Sequence, residues 1–236
     1  MRRVLCLSAA IGSSKRDLAM FDSAWVTITL LTAAPLLFSL TVHEYAHARV
    51  ALAFGDPTAK LNGRVTLNPL AHLDPIGTLS LFLVHFGWAK PVPVNPMNLH
   101  PRRLGDIMVS LAGPLSNLLL AMVSGLLLRL WVFKGNPNHT YSEHIYMLLY
   151  WTLVVNLMLC LFNLIPLFPL DGHHILREFL PDGMRSDFMR WQVRYGQVGL
   201  LAMIFLPRVL NVTGPIGAMF RFVIEPFVHL LLHAAV

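Results

Sequence analysis

The segment His43-Glu44-Tyr45-Ala46-His47 is the part of the chain whose residue types and spacing best suit chemistry. Residues four apart on a helix share a face, so His43 and His47 would point at one locus. Two neutral imidazoles at this spacing suit Zn²⁺, and a Glu directly after the first His suits a general base acting on a zinc-bound water. The alternative is a helix whose two histidines are satisfied by hydrogen bonds, with the motif arising by chance.

A catalytic zinc site needs a third protein ligand, which must come from another segment. Asp171 is the best candidate, because it ends an apolar segment and is followed by Gly172, which allows close backbone approach. His173 and His174 compete for the ligand role, and Asp171 could instead cap a helix or loop at the membrane surface. Spacing alone leaves the third ligand open.

The composition indicates a membrane protein. Of the 236 residues, 56% are hydrophobic and 13% are charged, whereas about a quarter of the residues are charged in a soluble domain. The net charge of +6 comes from basic residues that fall between apolar segments, as the positive-inside rule expects. They form no aromatic-interleaved basic patch, so we expect the lipid bilayer as a partner and no nucleic acid.

The apolar segments predict an all-α polytopic membrane protein with about five to six transmembrane or re-entrant helical segments. The five longest apolar segments are residues 24–54, 107–133, 145–167, 198–212 and 216–232. Gly113-Pro114 should break the second of them. Residues 75–87 are too short to cross a core of about 30 Å, and predict a re-entrant or interfacial element.

Residues 56–75 are polar and rich in turn formers. Their alternation of Leu61, Gly63, Val65 and Leu67 predicts a short membrane-associated β-hairpin. A proline-pinned extended loop follows at residues 88–96. We expect residues 62–66 and 90–95 to offer an edge to an extended peptide.

The domain prediction separates an N-terminal extension, residues 1–19, from a single domain, residues 20–236. The extension has a short apolar patch without a convincing cleavage site, and Met20 precedes the first apolar segment, so we expect residues 1–19 to be dispensable. The catalytic core should span about residues 24–180, and C-terminal helices should lie within 196–233.

The basic residues also predict an orientation in the membrane. Lys60, Arg64, Arg102, Arg103 and the arginines of residues 177–194 fall on one side if three spans and one re-entrant element separate them. The positive-inside rule makes this side cytoplasmic. The HExxH end and the Asp171 end of their segments then meet on the cytoplasmic side.

Several motifs occur in a specific order between residues 24 and 180. They are HEYAH (43–47), GDPT (55–58), LNPLAHLDPIGT (67–78), GWAKPVPVN (87–95), AGPLSN (112–117) and Asn163 followed by Pro166 and Leu170-Asp171-Gly172. This order resembles the site-2 protease family of intramembrane zinc metalloproteases. It most resembles the short bacterial branch without PDZ or CBS domains, which implies an integral protein of the bacterial inner membrane.

The resemblance implies roles for five residues. His43, His47 and Asp171 would bind one Zn²⁺ per chain, and Glu44 would activate water. Asn163, eight residues before Asp171, would hold the substrate backbone or stabilise the oxyanion; an interhelical hydrogen bond is the alternative.

Four further residues have no role at this stage. Asn117 and His72 match family positions, whereas His173 and His174 depart from the family pattern after Asp171-Gly172.

The implied activity is that of a zinc metalloendopeptidase hydrolysing peptide bonds within or near transmembrane segments of membrane-anchored protein substrates. One alternative is a catalytically inactive scaffold or binding protein of the same fold, against which the intact Glu44 argues. The other is a zinc transporter, which should show broken helices in matching halves. Gly113-Pro114 against Pro166-Pro169 is a weak pairing of this kind.

Overall fold

The computed structural model describes residues 23–84, 87–133 and 140–233, and in these ranges the chain is mostly helical and forms no strand. The helices are α1 (Ser23–Ala53), α2 (Thr58–Leu61), α3 (Pro75–Val84), α4 (Arg102–Phe133), α5 (Thr140–Asn163), α6 (Asp171–Phe179), α7 (Asp182–Trp191), α8 (Gln197–Val209), α9 (Pro215–Met219) and α10 (Glu225–His233). The all-α prediction is confirmed for these residues. The predicted extension, residues 1–19, lies outside them.

The long helices α1, α4 and α5 form the frame of the molecule and pack against one another. Two stretches of the described residues are long and apolar enough to cross a membrane, Arg102–Leu130 in α4 and Glu143–Asn163 in α5. The 31 residues of α1 give it a length of about 46 Å, more than the roughly 30 Å of a hydrocarbon core. The predicted total of five to six segments stays a prediction.

The hydrophobic core lies where α4, α5 and the C-terminal helices meet. Its buried side chains are Ala121, Leu128, Leu153, Val154, Leu157, Ile224 and Val228. The predicted C-terminal helices, residues 196–233, therefore pack on the same frame as the two apolar helices.

The predicted break at Gly113-Pro114 is wrong, because α4 is continuous with Pro114 inside it. Proline removes one helical hydrogen bond, but a helix packed against neighbours can accommodate that loss. The Ser116 hydroxyl donates to the Gly113 carbonyl at 2.7 Å, which adds a local bond at this turn.

The β-hairpin predicted within residues 56–75 is also wrong: this segment forms α2 and a 3₁₀ turn. Leu61 and Leu67, which carried the alternation, are 81% and 59% exposed, so no apolar layer covers them. Alternation over so few residues does not establish a strand without such a layer. Within the described ranges, Leu73 and Ala89 form an isolated antiparallel bridge.

Arg64 connects the two segments between which strand pairing was expected. Its buried guanidinium donates to the carbonyls of Lys90 at 2.5 Å and Pro91 at 3.3 Å. His72 is buried beside it, with Nε2 2.8 Å from the Thr66 carbonyl oxygen. Side-chain hydrogen bonds from Arg64, rather than a ladder of backbone hydrogen bonds, therefore hold the loop of residues 87–95.

The connection from α5 to α6 returns the chain to α1. Residues 164–170 are irregular, and α6 then begins at Asp171. At the other end of α6, Arg177 pairs with Asp106 of α4, and Arg103 of α4 donates to the Glu178 carbonyl. These contacts fix the C-terminal end of this short helix to α4, and Asp171 at its start faces the HExxH motif.

Candidate metal centre

Helices α1 and α6 bring His43, His47 and Asp171 together. The two Nε2 atoms of the histidines lie 3.0 Å apart. The Asp171 carboxylate places Oδ2 3.3 Å from His43 Nε2 and Oδ1 3.3 Å from His47 Nε2. These are the three residues in the described part of the chain whose ligand atoms converge in this way.

The separations fit a tetrahedral zinc site. Zinc ligands about 2.0–2.1 Å from the metal in tetrahedral geometry lie about 3.3 Å from one another. The histidines are buried and the Asp171 side chain is 18% exposed, so a fourth position can remain accessible.

Hydrogen bonds across three helices indicate which ring nitrogen of neutral His43 carries the proton. Asn156 Nδ2 donates to the Thr152 carbonyl at 2.8 Å, so its Oδ1 must accept from Asn117 Nδ2, also at 2.8 Å. Asn117 Oδ1 therefore faces His43 Nδ1 at 2.6 Å and accepts the proton carried there. His43 Nε2 is left with a lone pair, as a metal ligand requires.

His47 is fixed in the same tautomer by the backbone of α4. Its Nδ1 lies 2.7 Å from the Val109 carbonyl oxygen, which can only accept, so Nδ1 carries the proton. Two imidazole lone pairs and a carboxylate then face one another, and Asp171 Oδ2 has no hydrogen-bond partner among the described residues. A cation between these groups would be bound by both lone pairs and the carboxylate, and Zn²⁺ suits this donor set.

Gly113 of α4 provides the space beside the two histidines. A Cβ atom at this position would overlap the imidazoles of both His43 and His47. The glycine therefore lets α4 approach the HExxH turn closely enough for Asn117 and Val109 to reach the imidazoles.

Glu44 lies between the two histidines in sequence and faces the loop of residues 87–95. Its Oε2 accepts a hydrogen bond from the Val92 backbone N–H at 3.1 Å, and the side chain is half-buried. The loop thus fixes one carboxylate oxygen of the predicted general base.

Asp56 holds the far end of this loop. Its Oδ2 accepts from the Asn95 N–H at 2.7 Å, while Oδ1 accepts from Asn98 and from the N–H and hydroxyl of Thr58. Burial raises the pKa of the Asp56 carboxyl, but these hydrogen bonds outweigh burial and hold the pKa below its ordinary value. Asp56 therefore acts as an ionised clamp between the end of α1 and the loop.

The other candidate residues lie outside the group of three. His173 is buried, with Nδ1 2.5 Å from the Leu170 carbonyl oxygen. His174 Nδ1 is 4.0 Å from Asp106 Oδ2, and burial, aided by nearby His173 and Arg177, lowers the pKa of His174 to about 3. Neither histidine therefore replaces Asp171 in the convergent group.

Asn163 is half-buried at the end of α5. Its Nδ2 donates to the Leu159 carbonyl at 3.0 Å in the same helix, which differs from the interhelical bond considered from the sequence. The role of Asn163 toward substrate stays a prediction.

Sequence reasoning missed Asn156 and Ser39, which orient Asn117. Asn156 Nδ2 also donates to the Ser39 hydroxyl at 2.7 Å, and that hydroxyl donates to the Pro35 carbonyl at 2.6 Å. The available signal was a polar residue in each of three apolar segments, Ser39, Asn117 and Asn156. Such groups are costly in a membrane without partners, which indicates that they bind one another.

Comparisons with known proteins agree with this geometry. The family model described as Peptidase family M50 matches residues 130–206. Two similar proteins are each named "Putative zinc metalloprotease": YwhC of Bacillus subtilis, 43% identical over 73% of this chain and 78% of its own, and Rip2 of Mycolicibacterium smegmatis, 32% identical over 69% and 62%. Zinc metalloprotease MJ0392 of Methanocaldococcus jannaschii is 31% identical over 75% of this chain and 40% of its own length. No solved structure matches the chain.

Proposed function

Because this chain belongs to peptidase family M50 and is a zinc metalloprotease, we propose that His43, His47 and Asp171 bind one Zn²⁺ and that Glu44 is the general base. The observation that carries the proposal is the convergence of the two histidine Nε2 atoms and the Asp171 carboxylate at 3.0–3.3 Å. Bound zinc supplies a Lewis acid that lowers the pKa of water and polarises the scissile carbonyl.

The residues around the centre have distinct tasks in peptide hydrolysis. Asn117 and the Val109 carbonyl hold the two imidazoles in the tautomer that presents Nε2 to the metal. The Val92 N–H holds Glu44 through Oε2, and Oε1 takes the proton from the attacking water and returns it to the leaving amine.

Asn163 binds the substrate backbone or stabilises the developing oxyanion. Its position at the C-terminal end of α5, eight residues before Asp171, supports this role. Its amide must then exchange the bond to the Leu159 carbonyl for one to the substrate.

The substrate is a membrane-anchored protein cleaved within or near its transmembrane segment. The long apolar helices around the centre support this substrate class. A helical segment bonds its own carbonyls, so the substrate must unwind locally before attack. The extended loop of residues 87–95 can pair with the unwound peptide and bring its carbonyl beside Glu44, since Val92 already contacts that side chain.

The protein is an integral component of the bacterial inner membrane, with five to six transmembrane or re-entrant segments and the active site toward the cytoplasm. The arginines at the start of α4 and along α6 to α8 support this orientation through the positive-inside rule. The transporter alternative loses its pairing of broken helices, because α4 is continuous.

Zinc content of the purified protein tests the proposal. Replacing Asp171 by Ala removes one ligand atom, and we expect zinc to fall from about one per chain toward zero, measured by elemental analysis. Asp182→Ala is the matched control, because the Asp182 side chain is 91% exposed on the next helix. Full zinc retention in Asp171→Ala, with an unchanged unfolding temperature, would contradict the proposed ligand set.

A further inference from the structure

Gln192 is a buried amide that binds the segment leading to Asp171. The residue is fully buried between α7 and α8 and begins a π-helical turn, Gln192–Gly196. Its Oε1 accepts from the Phe168 N–H at 2.8 Å, and its Nε2 donates to the Pro166 carbonyl at 2.9 Å.

These two bonds restrain the backbone on both sides of one residue. The Pro166 carbonyl and the Phe168 N–H flank Leu167, so the Gln192 amide pairs with them as a neighbouring strand would. Without Gln192, a carbonyl and an N–H of an irregular segment would lose these partners. Gln192 therefore sets the path of residues 166–168.

The position of residues 166–168 also affects the position of Asp171, the proposed ligand. Asp171 begins α6, and the next residue, Gly172, packs so tightly that a Cβ there would overlap the carbonyl groups of Leu164 and Ile165. The start of α6 thus rests on the same segment that Gln192 restrains. A shift of that segment would move the Asp171 carboxylate relative to His43 and His47.

Gln192 is the first residue of the π turn, and its side chain points inward from there. Such turns insert one extra residue into a helix and occur frequently at functional sites. Gly196 ends this turn, and a Cβ there would lie 2.8 Å from both Gln192 Oε1 and Phe168 Cβ. At Gly199 on α8, by contrast, a Cβ would lie 3.6 Å from the nearest atom, Leu167 Cδ1, which is ordinary contact.

We propose that Gln192 is a positioning residue that holds Asp171 in register with His43 and His47 through the Pro166–Phe168 backbone. The inference rests on the proposed function, since it takes Asp171 as a zinc ligand. It assigns a role to the junction of α7 and α8, beyond the motif-bearing residues 24–180.

The test compares two pairs of matched variants in the full chain. Gln192→Met removes the amide at similar volume, and Gln197→Met makes the same change at an exposed position of the next helix. Gly196→Ala pushes a methyl group between Gln192 and Phe168, and Gly199→Ala makes the same change where there is space. Because Ala is a stronger helix former than Gly, weaker zinc binding in Gly196→Ala cannot come from helix propensity.

The readouts are the zinc dissociation constant, from chelator competition, and the visible absorption spectrum of the Co²⁺-substituted protein, which reports ligand geometry. We expect Gln192→Met and Gly196→Ala to bind zinc about tenfold or more weakly and to alter the cobalt spectrum, with both controls unchanged. Wild-type affinity and spectrum in both variants would overturn the role of Gln192. Failure of the wild type itself to bind zinc would instead overturn the proposed function, and this inference with it.

Discussion

At the scale of single residues, the metal centre depends on which nitrogen of each histidine carries its proton. The Thr152 carbonyl orients Asn156, Asn156 orients Asn117, and Asn117 takes the proton of His43 Nδ1. Each bond in this network joins one donor to one acceptor, and the side chains of Asn156, Asn117 and His43 are buried in apolar helices. Such a fully satisfied network holds one arrangement, because any reversed amide would leave a buried group unpaired.

Gly113→Ala tests how closely the helices must approach at the centre. The added methyl group would overlap both imidazoles, so the histidines must turn away from Asp171. We expect zinc affinity to fall by about tenfold to a hundredfold, measured by chelator competition.

Gly125→Ala on the same helix is the control for Gly113→Ala. A Cβ at Gly125 meets the flexible end of Leu231 at 2.8 Å, which can move aside. Equal zinc affinity in the two variants would show that Gly113 does not set the space around the histidines.

The sequence predicts the three converging residues, but only part of the network around them. The spacing of His43 and His47 places them on one helix face, and the end of an apolar segment indicated Asp171. The tautomer of His43 could not be predicted from the sequence, because it depends on Asn156 of α5. This residue is 117 positions from Ser39 and 39 positions from Asn117 in the chain. Sequence spacing carries no information on which amides meet across packed helices.

At the scale of elements, the loop of residues 87–95 is held at three places by side chains from the α1–α2 region. Asp56 binds Asn95, Arg64 binds the Lys90 and Pro91 carbonyls, and Glu44 binds the Val92 N–H. The first two contacts fix the loop so that the third can hold Glu44, the proposed general base.

Asp56→Asn tests this clamp and its dependence on pH. Both carboxylate oxygens of Asp56 accept hydrogen bonds, but the Asn side chain would place an NH₂ group against one set of these donors. We therefore expect the free energy of unfolding to fall by about 1–3 kcal/mol near pH 7. The measurement is chemical unfolding in detergent micelles between pH 7 and 3.

The sign of the pH effect follows from the lowered pKa of Asp56. The stabilisation by the ionised carboxylate is fully present above the ordinary pKa of 3.8, and it is lost as pH falls through the lower folded-state pKa. The difference between wild type and Asp56→Asn should therefore shrink at the acidic end of the series. A difference that stays constant over the whole range would contradict the role assigned to Asp56.

Element prediction succeeds for the long apolar helices and fails for the short polar segment. The segments predicted at 24–54, 107–133 and 145–167 correspond to α1, α4 and α5, because long apolar runs have few alternatives in a membrane. The β-hairpin prediction is wrong because side-chain contacts of Arg64 and His72 take the place of hydrogen bonds between strands. Residue alternation does not distinguish the two arrangements.

At the scale of the whole molecule, several polar side chains are buried while many large apolar side chains are exposed. Asn117 and Asn156 are completely buried, whereas Leu119 and Leu126 of α4 are 62% and 57% exposed. Water would oppose this distribution, and a bilayer favours it, because lipid covers the apolar surface while the buried polar groups satisfy one another. The candidate metal centre therefore lies among helices suited to a lipid bilayer.

The most direct test of the central claim separates metal binding from proton transfer. Glu44→Gln should keep about one zinc per chain, because the proposed zinc ligands are His43, His47 and Asp171. It should also lose cleavage of a single-span model substrate, by at least about a hundredfold, because the amide cannot accept the proton of water. Glu143→Gln, an exposed change near the start of α5, should keep both properties. Wild-type cleavage by zinc-loaded Glu44→Gln would contradict the account, as would the absence of zinc from the wild-type protein.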